Sequence, residues 1–142
     1  MEKKIKEIVE PINNNDIFIG HSVGRQAILR YIEKLNENEK IKKVILIAPW
    51  MHLDDNTIKE EGKNIIKIAK PWMETPINFR KIKTHCDEFI AIFSNNDPYI
   101  PLSNTKIFKE KLNADILVLK NKGHFDSTSK IDKLPELLDF IK

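Results

Sequence analysis

Ile17-Phe18-Ile19 is an apolar run that ends in Gly20-His21-Ser22-Val23-Gly24 and passes without a spacer into a helical pattern over Gln26 to Leu35. Few backbones satisfy that sequence. The residue at the bend must take a strained conformation, and small neighbours on both sides, Gly20 and Gly24, are expected to keep the turn free of clashes. The hydroxyl of Ser22 then projects above the end of the strand, which is the arrangement called a nucleophile elbow.

The rest of the chain alternates in the same way. Ile5, Ile8 and Val9 share one face of a helix over Lys3 to Val9, stopped near Pro11 and followed by the loop Asn13 to Asp16. Ala27, Ile28, Tyr31, Ile32 and Leu35 recur at helical spacing behind the elbow. Val44 to Ala48 and Phe89 to Phe93 are continuous apolar runs of the kind found in strands buried on both faces, and Ile116 to Leu119 is a further strand. Between the last two, Ser103 to Leu112 reads as a helix that Ser103 can cap. Leu134 to Ile141 reads as a closing helix with Pro135 in its first turn. The stretch from Trp50 to Lys83 is less regular, with a helix around Ile58 to Ala69 and a proline-punctuated loop from Pro71 to Pro76. Strand and helix alternation implies parallel strands joined by right-handed crossovers with helices on both faces. The expected fold is a three-layer α/β sandwich: a mostly parallel sheet of about four strands flanked by helices, in a single domain over residues 1–142.

Composition removes several function classes. The net charge is only +3, and lysines alternate with glutamates along Lys34 to Lys43 and Lys106 to Lys111 instead of forming a stripe, which argues against nucleic acid. No apolar run approaches the ~20 residues that span a bilayer, and Met1 to Ile5 lacks the pattern of a signal peptide, so no membrane partner and a cytoplasmic location are expected. A lone cysteine, Cys86, excludes an internal disulfide and a cysteine-based zinc cluster. Neither a metal nor a cofactor is expected.

A serine hydroxyl is a poor nucleophile until an imidazole takes its proton, and that imidazole needs a carboxylate to fix its tautomer. Partners of this kind follow later predicted strands. Asp97 lies in Ser94-Asn95-Asn96-Asp97-Pro98-Tyr99-Ile100-Pro101 after Phe89 to Phe93, and His124 in Gly123-His124-Phe125 after Ile116 to Leu119. An Asp before Pro is often a turn former, and Gly-His is often an exposed loop. The order serine, acid, histidine, each behind a strand, favours the catalytic reading: Ser22, Asp97 and His124 as nucleophile, acid and base, with the Val23 amide in the oxyanion hole.

These segments, with the terminal Leu134-Pro135-Glu136-Leu137-Leu138, resemble the small serine hydrolases related to retinoblastoma-binding protein nine and the bacterial YdeN-like proteins. The resemblance implies a compact α/β-hydrolase fold, the same three roles for Ser22, Asp97 and His124, and a small-molecule ester or amide as substrate. Members of that family begin with a strand and a His-Gly turn that supplies a second oxyanion donor, whereas this sequence starts at the helix after it. The expectation is an N-terminally shortened fold, with an apolar edge beside Ile17 to Gly20 that invites pairing with a second copy, as a homodimer, or aggregation. The alternative to the enzyme is a catalytically impaired remnant that serves as a binding module.

Other residues have plainer readings. His21 is expected to pack or hydrogen-bond locally, and Cys86 to be structural. Asp54-Asp55 and Asp87-Glu88 adjoin the starts of elements, where acids cap or solvate. Asp126 stands too near His124 in sequence to orient it. Trp50, Met51, Trp72 and Met73 either line a pocket above the strands or pack in the core.

Overall fold

The computed structural model describes residues 2–53, 59, 67 and 69–141. Four strands, β1 (Ile17–His21), β2 (Lys43–Ile47), β3 (Phe89–Ser94) and β4 (Asp115–Leu119), form a parallel sheet in the order β1-β2-β3-β4. The α-helices described from end to end are α1 (Glu2–Val9), α2 (Val23–Glu33), α3 (Phe79–His85) and α4 (Asn104–Leu112).

The two central strands are buried along their whole length, because apolar residues cover both of their faces. Val44, Leu46, Phe89, Ala91 and Phe93 point to one side, where they join Leu29 and Ile32 of α2, Ile82 of α3, and Phe108 and Leu112 of α4. Ile45, Ile47, Ile90 and Ile92 point to the other, under Leu134, Leu137 and Phe140. The layers are therefore α-helices, sheet and a C-terminal 3₁₀ segment.

Strand order explains why the described α-helices share one face. The strands advance across the sheet in chain order, and crossovers of constant hand that always step the same way must lie on the same side. Crossover helices on both faces would need a reversal of strand order, whereas a segment after the last strand is free to cover the other face. The second face is closed instead by the 3₁₀ turn Pro135–Asp139, which takes the place of the expected closing α-helix. Lys43 pins this segment: its buried ammonium donates to the Phe140 carbonyl at 2.6 Å and pairs with Glu88 at 3.1 Å.

Three further local features depart from the sequence expectations. α3 falls in the stretch read as irregular, and Asn78 caps it by accepting from the Lys81 amide at 3.1 Å. Positions 69–74 are helical through Pro71, where a loop was expected. The physical reason is tertiary: the Arg30 guanidinium lies over the Trp72 ring and donates to the Trp72 and Thr75 carbonyls at 3.0 and 2.7 Å, placing a cation at a helix C-terminus. Most of the helix expected over Ile58 to Ala69, and the Asp54-Asp55 pair, lie outside the described residues. Ser103 precedes α4 without a side-chain cap bond, because its hydroxyl faces His52 Nε2 at 2.8 Å.

Candidate active site

Ser22 joins β1 to α2 with φ 51° and ψ −115°, a left-handed conformation that L-residues avoid. Its own amide donates to the Ile47 carbonyl at 2.9 Å, so the bend is tied to the neighbouring strand. Gly20 is required by close approach: a Cβ there would stand 2.7 Å from Ile28 Cδ1 and 3.0 Å from the Arg25 amide nitrogen. Gly24 is not required in this way. A Cβ at Gly24 meets nothing within 4 Å among the described residues, and Gly24 lies inside α2 without a positive φ. The steric demand of the elbow thus rests on Gly20, which corrects the symmetric reading of the two glycines.

Val23 opens α2, so its N–H is among the first amides of the helix, which have no intrahelical acceptor. It stands at the positive end of the helix dipole, where a developing oxyanion is favoured.

The structure brings Asp97, His124 and Ser22 into one hydrogen-bonded chain. His124 Nε2 lies 3.0 Å from Ser22 Oγ, and His124 Nδ1 lies 2.9 Å from Asp97 Oδ2. The Asp97 side chain is 2% exposed and that of His124 12%. A carboxylate hidden this far from water needs its remaining lone pairs satisfied. Asp97 Oδ1 accordingly accepts from the Tyr99 and Ile100 amides at 2.9 and 3.2 Å. Asp126 is occupied elsewhere, accepting from Thr128 Oγ1 at 2.7 Å and from Ser129 Oγ at 2.9 Å. These bonds, the one from Thr128 foremost, hold its carboxyl below the usual range.

Sequence reasoning missed the residues that join the acid loop to the histidine loop. Asn95 Oδ1 accepts from the Asn121 amide at 2.9 Å, Ser94 Oγ from the Lys122 amide at 3.0 Å and Asn96 Oδ1 from the Gly123 amide at 2.8 Å. Three consecutive side chains thus bind three consecutive amides just before His124. The signal was present as a run of short polar residues, Ser94-Asn95-Asn96, but their partners are distant in sequence. Gly123 has φ +54°, and a Cβ on it would lie 2.6 Å from Ser129 Cβ, so glycine alone fits that turn. Tyr99 meets the His124 ring edge-on, with centroids 5.2 Å apart.

Behind the elbow, Arg25 is wholly buried. Its guanidinium lies over Trp50 with 4.9 Å to the centroid, and Nη1 stands 3.2 Å from Met51 Sδ. With the Gln26 amide oriented oxygen-first, that oxygen accepts from both terminal nitrogens at 2.7 and 2.9 Å. Burial foremost, with the Arg30 charge, holds its pKa well below the ordinary arginine value. Trp50 is buried and packs in the core, whereas Met73 is exposed.

Among the described residues no group of three or more His, Cys, Asp or Glu is placed to hold a metal, and no helix is long and apolar enough to cross a membrane.

Comparison with known proteins finds matches at the level of family and of fold. The family described as serine hydrolase matches residues 2–142. The chain is 28% identical over 127 residues to the serine hydrolase RBBP9 of Rattus norvegicus, covering 89% of this chain and 59% of that protein. It is 21% identical over 130 residues to YdeN of Bacillus subtilis (strain 168), covering 92% of this chain and 64% of that one. The chain therefore spans about three-fifths of the length of these relatives. The crystal structure of the ydeN gene product from B. subtilis superposes with a TM-score of 0.82 at 19% identity, over 99% of this chain and 70% of that chain. A carboxylesterase structure from the thaumarchaeon Nitrososphaera gargenis superposes with a TM-score of 0.68 at 15% identity, over 99% of this chain and 68% of that chain. At those identities the structural likeness concerns the fold.

Proposed function

Because the chain belongs to the serine hydrolase family, we propose that it hydrolyses small carboxylic esters or amides through an acyl-enzyme formed on Ser22. The observation that carries this reading is the unbroken chain Asp97–His124–Ser22, with links of 2.9 and 3.0 Å. Ser22 Oγ attacks the carbonyl carbon while His124 Nε2 takes its proton. Asp97 keeps the proton of His124 on Nδ1, so that Nε2 is free to accept, and stabilises the imidazolium that results. The carbonyl oxygen gathers negative charge toward the Val23 amide at the start of α2. When the intermediate collapses, His124 returns the proton to the leaving alcohol or amine. Water activated by the same imidazole then attacks the acyl carbon and releases the acid. The geometry asks for no metal or cofactor in any of these steps.

A fluorophosphonate probe tests the proposal directly, since it reacts only with an activated serine. The intact protein is expected to be labelled on Ser22, to turn over p-nitrophenyl esters, and to lose both properties in Ser22→Ala. Absence of labelling in folded wild-type protein rejects the reading.

A further inference from the structure

His124 lies between two residues with left-handed backbones, Gly123 at φ 54° and Phe125 at φ 56°. A kinked segment of this kind has no ladder of helix or sheet bonds to fix it, so side chains must locate it. Its amide is held by Ser129 Oγ at 3.0 Å. Its carbonyl is held from a different part of the fold: His21 Nε2 lies 2.7 Å from the His124 carbonyl oxygen. A carbonyl can only accept, so Nε2 of His21 carries the proton. The two imidazole rings also lie against each other, with centroids 5.0 Å apart.

The position of His21 gives this bond its meaning. His21 is the last residue of β1 and is joined by one peptide to Ser22, so their Cα atoms are ~3.8 Å apart whatever the loops do. β1 pairs with β2 through His21 opposite Ile47, and Ser22 bonds to the same residue. The strand end that carries the nucleophile therefore also carries a donor for the backbone of the base. Asp97 fixes the ring of His124 but comes from β3, two strands away.

We propose that His21 is a positioning residue: it sets the distance between His124 and Ser22 by holding the His124 carbonyl, while Asp97 sets the orientation of the ring. This role rests on the hydrolytic reading of Ser22. Losing one such hydrogen bond is expected to lower kcat about threefold to tenfold, through misplacement of the base, without weakening substrate binding.

The experiment compares wild type, His21→Leu, which removes the donor, and His21→Gln, whose amide nitrogen can reach the same oxygen. With p-nitrophenyl acetate, His21→Leu should lose about threefold to tenfold in kcat at an unchanged KM and an unchanged melting temperature, and His21→Gln should recover most of the loss. Fluorophosphonate labelling of Ser22 should slow in the same proportion. Spectra of ¹⁵N-histidine-labelled protein at pH 8 should show His21 protonated on Nε2 and His124 on Nδ1. Full kcat in His21→Leu, equal losses in both variants accompanied by a lower melting temperature, or His21 protonated only on Nδ1 would each overturn the proposal. A wild type that never labels at Ser22 rejects the hydrolytic reading, and the spectra then decide the His21–His124 bond on their own.

Discussion

Asp97 divides its carboxylate between two tasks: Oδ2 holds His124 Nδ1 at 2.9 Å, while Oδ1 accepts from the Tyr99 and Ile100 amides of its own loop. The loop amides hold one carboxylate oxygen independently of the histidine, so the other is presented to the imidazole in a fixed orientation.

Asp97→Asn keeps an oxygen for the loop amides but can place an amide N–H against His124. The imidazole is then driven to the tautomer that cannot take the Ser22 proton. Activity on p-nitrophenyl esters is expected to fall by about 10⁴-fold, the loss associated with the wrong tautomer. Steady-state kinetics beside a thermal melt checks this, and a loss below tenfold would show that Asp97 does not orient the base.

Asn96→Ala tests the stitching between the loops. Asn96 Oδ1 receives both the Ser94 hydroxyl at 2.7 Å and the Gly123 amide at 2.8 Å. Its removal leaves a part-buried amide without that acceptor, a cost of about 1–3 kcal/mol. Urea unfolding should show that loss, and kcat should fall more than KM rises because the defect displaces His124 and not the substrate.

The two elbow glycines should respond oppositely to alanine. Gly20→Ala pushes a methyl group against the Arg25 backbone at 3.0 Å, where no rotamer can relieve the clash, so a loss of about 1–3 kcal/mol is expected together with activity. Gly24→Ala meets open space within α2 and should gain about 0.5–1 kcal/mol from helix propensity. Paired denaturation curves decide it, and equal losses at both positions would contradict the asymmetry.

Cys86 offers a pH-dependent readout. Burial, foremost, pushes its thiol up to about 11, above the ~8.5 of an exposed cysteine. The folded state thus favours the neutral thiol, a contribution complete below about pH 8.5 and lost as the pH rises toward 11. Iodoacetamide at pH 8 should modify folded protein far more slowly than urea-unfolded protein. The alkaline fall in stability should be shallower in Cys86→Ala than in wild type.

What could be read in advance, and what could not, follows from the range of the interactions. Val44 to Ile47 and Phe89 to Phe93 announce buried strands because burial on both faces demands apolar residues at consecutive positions. Asp97 could be singled out because it follows such a strand, and Ser22 and His124 because each follows a shorter apolar run that ends at a glycine-containing turn. α3 was hidden because Ile82 is one of few apolar residues in it, and the Asn78 cap was the only local mark of its start. The helical path through Pro71 depends on Arg30, some forty residues earlier, and the asparagine ties depend on a loop more than twenty residues later. No local pattern encodes partners at such separations. The closing segment does cover the second sheet face, and only its type differs from expectation, because over so short a segment apolar spacing does not separate a 3₁₀ turn from an α-helix.

The order of strands in the sheet also makes Ser22 a gauge of its own fold. The nucleophile stands on β1, while the imidazole that activates it hangs from β4 at the opposite side, three strand spacings or roughly 14 Å away. The histidine loop reaches back across that distance only when β2 and β3 fill the interval. A chain with any strand undocked leaves the serine hydroxyl inert, so covalent labelling of Ser22 counts complete sheets molecule by molecule.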